Sequence, residues 1–162
     1  MDELRSSGTK LRYEINSNLN SPGGFNPNTN TIQFKSTSDI NYNTVLEEFY
    51  HAYQHYKVGI GKYMNEPPYK GRSNIEFEAK LYHDITMAIT QPDEGFTYFG
   101  GFGEYSNWIF EITENWTRYP SWEQMQSEYY RFLEEFIQYN PNYNYPIDYE
   151  LKPDTLLDLF GR

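Results

Sequence analysis

From Lys10 to Ile15 apolar and polar positions alternate, with Leu11, Tyr13 and Ile15 on one side and charged or polar residues on the other. A period of two over such a stretch predicts a half-buried strand. Ser21-Pro22-Gly23-Gly24 breaks the pattern, and Phe25 to Asn30 is turn chemistry, Pro27 set among asparagines. Thr31-Ile32-Gln33-Phe34-Lys35 alternates again with Ile32 and Phe34 facing inward. The two strands predict a small antiparallel sheet in the first third of the chain.

Beyond residue 40 the period lengthens to that of a helix. Val45, Leu46, Phe49, Tyr50 and Tyr53 share a face, Asn41, Asn43 and Thr44 are candidate N-caps, and Gly59 and Gly61 mark the stop. Residues 62–72, with Pro67-Pro68 and Gly71, read as a loop, and a second helix capped by Ser73 runs to about Thr90, before Pro92. The glycines and aromatics of Asp93 to Gly103 read as an irregular crossing. Helical spacing returns from Tyr105 to Trp116 and again from Ser121, where Ser121-x-x-Gln124 forms a capping box, to Gln138. Asn140 to Tyr149 is rich in Pro, Asn and Tyr and needs surface or partner contacts for order, while residues 153–160 predict a last short helix closed by Gly161. Strands first and packed helices after them predict an α+β fold, one domain over residues 1–162 without internal repeats.

At 162 residues the chain buries a core without staples, and it contains no cysteine. Thiolate catalysis, Cys-ligated zinc and disulfides are thereby excluded. With 23 acidic against 13 basic residues and a formal net charge of −10, the chain repels phosphate backbones, so nucleic acid is not an expected partner. No stretch approaches the roughly 18 apolar residues of a membrane span. Met1-Asp2-Glu3-Leu4-Arg5 has neither the basic region nor the apolar core of a signal peptide, and it reads as the interior of a longer polypeptide. Tyrosine, at 17 residues against 3 tryptophans, supplies core area that keeps a polar tip for water or a ligand.

Candidate chemistry centres on Glu47-Glu48-Phe49-Tyr50-His51. A complete His-Glu-x-x-His helix sets two zinc ligands one turn apart and a general base between them. Glu48 and His51 match the second and third of those positions; Glu47 stands at the first. Glu47, His51 and His55 fall at i, i+4 and i+8 along one stripe of the helix, with Glu48 one step around it. Further along, Ser73 to Lys80 offers two more carboxylates, Glu76 and Glu78.

From about Gly24 to Asp84 the chain resembles the gluzincin branch of the zincin metallopeptidases. The resemblance is carried by Thr31-Ile32-Gln33-Phe34, by Glu47 to Gln54 and by Glu76-Phe77-Glu78-Ala79. It implies a zincin-like fold, Glu48 as the catalytic general base, and Glu47, His51 and Glu76 as ligands of zinc or another divalent metal. It also implies a peptide or protein substrate laid as an extra strand near Thr31 to Lys35. Such domains occur at the C-termini of large secreted bacterial toxins. Two positions depart from the family: Glu47 brings an anion where a neutral imidazole belongs, and Lys80 stands where an aspartate would orient a ligand histidine. One nitrogen and two charged oxygens shift preference from zinc toward harder ions such as manganese.

Other readings of the same residues compete with this one. Thr44 to Glu47 and Ser73 to Glu76 both spell capping boxes, which would make Glu47 and Glu76 helix-start residues. His51 can serve as a core histidine paired with a carboxylate. His51 and His55 form a rival ligand pair that leaves Ala52 at the base position, and His83 lies two turns beyond Glu76. The pairs Glu111/Glu114 and Glu134/Glu135 read as solvated faces. The functional alternative is a non-enzymatic module that binds protein or glycan through a Tyr-rich surface.

Overall fold

A computed structural model describes residue 4, residues 6–91 and residues 103–161. The chain forms two compact units, Met1–Glu66 and Pro67–Arg162. Most of the run read as an irregular crossing, up to residue 102, lies outside the described residues.

Among the described residues the first unit contains three short strands, β1 (Arg12–Ile15), β2 (Gly23–Asn26) and β3 (Thr31–Phe34). A 3-10 turn, Thr37–Asp39, leads to helix α1 (Tyr42–Val58) and the short α2 (Gly61–Asn65). The sheet order is β1-β3-β2, so β3 is the central strand. β1 runs parallel to β3, pairing Tyr13 with Ile32 and Ile15 with Phe34, whereas β2 runs antiparallel and pairs Phe25 with Ile32. The sheet is therefore mixed, not antiparallel as the alternation suggested, because a third strand from the Gly-Gly segment occupies the hairpin position.

The expectation for β1 also changes. Ile32 and Phe34 are buried, and their neighbours Tyr13 and Ile15 point to the same face, yet Tyr13 is 57% and Ile15 51% exposed. Alternation reported which side these residues occupy; it carried no information on whether anything covers them.

Helix α1 starts one cap earlier than the capping-box pattern requires. Asn41, in extended conformation, accepts the Thr44 N–H on its side-chain oxygen at 3.2 Å, and Gly59 closes the helix with a left-handed φ of 67°. Thr44 is thus already the third helical residue, and Glu47 lies a turn inside.

The second unit is built around α3 (Arg72–Thr90), with α4 (Glu104–Ile112), α5 (Trp122–Met125), α6 (Tyr129–Tyr139), a 3-10 turn at Pro141–Tyr143 and α7 (Asp154–Phe160). The single helix expected from Ser121 to Gln138 is broken at residues 126–128, while the Ser121 N–H does bond the Gln124 side chain at 2.9 Å, as a capping box should. Gly71, with φ of 86°, precedes α3; Ser73 sits inside the helix and does not cap it. Phe77 of α3 meets Tyr129 and Phe136 of α6 at ring separations of 5.2 and 5.6 Å, and Phe132 stacks on Trp108 of α4 at 4.7 Å. These aromatic contacts form the core of the unit.

Polar residues buried on α3 order the segment that follows α6. Ser73 Oγ lies 2.6 Å from the Tyr143 carbonyl and 2.9 Å from that of Tyr145, and it accepts the Tyr145 N–H. Asn74 donates to the Asp148 carbonyl at 2.9 Å and accepts the Asp148 N–H at 3.0 Å. Glu78 accepts the Leu156 N–H at 2.8 Å, placing a carboxylate at the positive end of α7. The Pro-Asn-Tyr stretch thus finds its contacts within its own unit. Asn74→Ala leaves the Asp148 amide and carbonyl without these partners, so we expect a loss of about 2 kcal/mol. Urea unfolding and faster hydrogen exchange at the Asp148 amide report it.

Among the described residues no helix is long and apolar enough to cross a membrane.

Candidate functional site on helix α1

Helix α1 turns the motif inward. Glu48, His51, Ala52, Tyr53 and Gln54 are buried, while Glu47 and His55 are half-buried. Since residues three and four apart are neighbours on a helix, both Glu47 and Glu48 lie one turn before His51. The capping-box explanation of Glu47 fails for this helix, because Asn41 performs the cap.

His51 is held by its own helix. Its Nδ1 lies 2.8 Å from Gln54 Oε1, both side chains being buried. An imidazole that donates Nδ1–H to an amide oxygen keeps its lone pair on Nε2, the arrangement that orients ligand histidines and catalytic bases alike. Gln54 was not singled out in the sequence; its signal is the i+3 spacing from His51.

Strand β2 comes against the helix at the same turn. A Cβ built on Gly23 would lie 2.6 Å from Thr44 Cγ2 and 2.8 Å from Glu48 Oε1. Only glycine permits this approach of backbone to carboxylate. The Gly-Gly segment that reads as a break is therefore a strand whose missing side chain makes room for Glu48. Gly23→Ala forces the stiff β-branched Thr44 and the Glu48 carboxylate to shift, and we expect about 1–3 kcal/mol of destabilisation. Chemical denaturation of the variant measures this cost, and an unchanged midpoint would show the contact to be slack.

His55 has a different environment. Its ring lies 5.7 Å from that of Phe25 on β2, its Nδ1 is buried without a hydrogen-bond partner among the described residues, and burial lowers its pKa. It favours the neutral form and lacks the oxygen partner that fixes His51.

Glu76, the downstream ligand implied by the resemblance, lies on α3 in the second unit. Arg72 Nε is 3.9 Å from Glu76 Oε1, and its guanidinium also rests on the Tyr145 ring at 4.5 Å. Gly71 is the residue preceding α3, so Glu76 does not close a capping box either. Lys80, in the position of the family's aspartate, bonds both carboxylate oxygens of Asp84 one turn on. Asp84 is fully buried, accepts the Tyr105 O–H at 2.8 Å and lies 3.2 Å from His83 Nδ1. Burial and the Asp84 charge raise the Tyr105 pKa well above its usual value, so Tyr105 remains a neutral donor.

As a donor set for a divalent metal, α1 fits in part. It supplies one imidazole of fixed tautomer and one half-buried carboxylate at i, i+4 spacing. Among the described residues no three His, Asp or Glu side chains are grouped to hold a metal ion. Searches of protein-family models, curated proteins and solved structures returned no match to this chain.

Proposed function

We propose that the chain is a zincin-related domain of gluzincin type, with Glu48 as proton acceptor, His51 as the nitrogen ligand, and Glu47 and Glu76 as the carboxylate ligands that the family pattern assigns. The reaction open to such a domain is hydrolysis of a peptide bond. One observation carries this reading: Glu48 and His51 are buried one turn apart on α1, with His51 Nδ1 tied to Gln54. A zinc or other divalent metal, when bound, supplies Lewis-acid activation of water and of the scissile carbonyl. Glu48 would receive the proton of the attacking water. Gln54 keeps the His51 ring in register. An extended peptide would add to a sheet edge, which cannot be β3, the central strand; the edge adjoining Glu48 is β2.

The test is zinc and manganese calorimetry on the full chain with two variants beside it. His51→Ala is expected to abolish binding, whereas Glu48→Gln is expected to retain binding and lose peptide hydrolysis. Metal affinity indifferent to His51→Ala would reject the proposal.

A second reading has its own observation. Tyr119, 42% exposed, stacks on Phe160 at 4.5 Å and 22°, a fixed aromatic surface of the kind that sugars and peptide side chains pack on. A protein- or glycan-binding module without catalysis would use it. Tyr119→Ala separates the readings, since it would abolish glycan or protein capture and leave metal affinity unchanged.

A further inference from the structure

Strand β1 is an open edge. Among the described residues it pairs with β3 alone, and all four of its residues are exposed. Arg12 N–H donates to the Asn30 carbonyl at 2.9 Å and Asn16 N–H to the Phe34 carbonyl at 2.8 Å, so the even-numbered residues spend their backbone groups on the β3 side. In a parallel ladder the alternate residues face the other way. Leu11, Tyr13 and Ile15 accordingly direct their N–H and C=O groups to the free edge. The side chains of Tyr13 and Ile15 lie on the face that Ile32 and Phe34 bury, and they extend that apolar layer into solvent; the Phe49 ring lies 6.1 Å from that of Tyr13.

We propose that a second copy of this chain pairs antiparallel along the β1 edge, about a two-fold axis at Tyr13, joining two three-stranded sheets into one of six strands. The sequence of the strand is self-complementary in that arrangement. Tyr13 meets Tyr13, Leu11 meets Ile15, and Arg12 meets Glu14 twice, once on each side of the axis. The backbone parity agrees: Tyr13–Tyr13 and Leu11–Ile15 are the hydrogen-bonded pairs, and the charged pairs fall at the closer, non-bonded positions. Of the two neighbouring registers of the same parity, one fails on charge. A shift one way sets Glu14 against Glu14 with Arg12 against Asn16, whereas a shift the other way sets Arg12 against Arg12 but brings Glu14 against Lys10 on each side, so the charges exclude the first register and leave the second as the competitor of the one proposed. Charges on an exposed edge ordinarily deter pairing, so these select one partner strand, its own copy.

Sedimentation velocity on the full chain, from micromolar to submillimolar concentration, tests this. The parent is expected to show a reversible monomer–dimer equilibrium. Arg12→Glu or Glu14→Arg alone turns both charged pairs into repulsive ones and should weaken the dimer about tenfold. The double variant Arg12→Glu/Glu14→Arg restores opposite charges and should recover the parent affinity. The two single variants, mixed, should form a heterodimer tighter than either homodimer. A parent that stays monomeric throughout overturns the proposal, as does a dimer indifferent to these charge changes or single variants that do not prefer each other. Both residues are exposed on the strand, and an unchanged unfolding midpoint for each variant confirms that the fold is intact.

Discussion

Glu47→His is expected to bind zinc on the order of tenfold more tightly than the parent chain, and to create or raise peptidase activity. The substitution sets a second imidazole one turn before His51 on the same stripe of α1 and removes one negative charge from the ligand set. It does not touch Asn41, which caps the helix, so its effect on α1 itself is small. The gain should depend on His51 and Glu76. Calorimetry on Glu47→His, alone and combined with Glu76→Ala, reports both affinity and dependence. A variant that folds and binds zinc no better than the parent would remove the case for a degenerate metallopeptidase site.

Asp84→Ala is expected to cost about 3–5 kcal/mol of stability. Its carboxylate is fully buried and bonds Lys80 and Tyr105, with His83 beside it; deleting it removes the anion that a largely buried ammonium and a buried hydroxyl share. Replacing both members, Lys80→Met with Asp84→Leu, should cost much less, because no charge is then stranded. The two variants are compared by urea unfolding. Equal losses would show that the site depends on shape rather than on the ion pair.

The helices were largely legible because their periodicity and stop signals are strong. The stop at Gly59 and the short terminal helix before Gly161 follow from glycine placement and helical spacing. The sheet was less so. β2 consists of Gly-Gly-Phe-Asn, which lacks the β-branched residues that mark a strand, and Gly23 is explained by a tertiary contact with Thr44 and Glu48. The break between α5 and α6 falls in Gln126-Ser127-Glu128, with neither glycine nor proline to announce it.

At the site, the capping-box pattern misled twice. Thr44 to Glu47 and Ser73 to Glu76 satisfy the pattern in sequence, yet Asn41 and Gly71 begin these helices earlier and place both segments inside them. Asn41 is the stronger cap for α1, whereas on α3 the Ser73 hydroxyl is taken up by the Tyr143 and Tyr145 backbone instead. The buried partners Gln54, Asp84 and Tyr105 were invisible for another reason. Their pairing depends on which helix faces are covered, and α3 buries polar residues as readily as apolar ones because neighbouring backbone and side chains satisfy them.

The proposal rests on His51 as a metal-binding imidazole, and X-ray absorption at the zinc edge of the zinc-loaded full chain addresses that directly. The predicted result is a first shell of oxygen donors with one imidazole, whose outer-shell scattering disappears in His51→Ala and persists in Glu48→Gln. A shell of oxygens alone, or an imidazole signal that survives His51→Ala, would contradict the account.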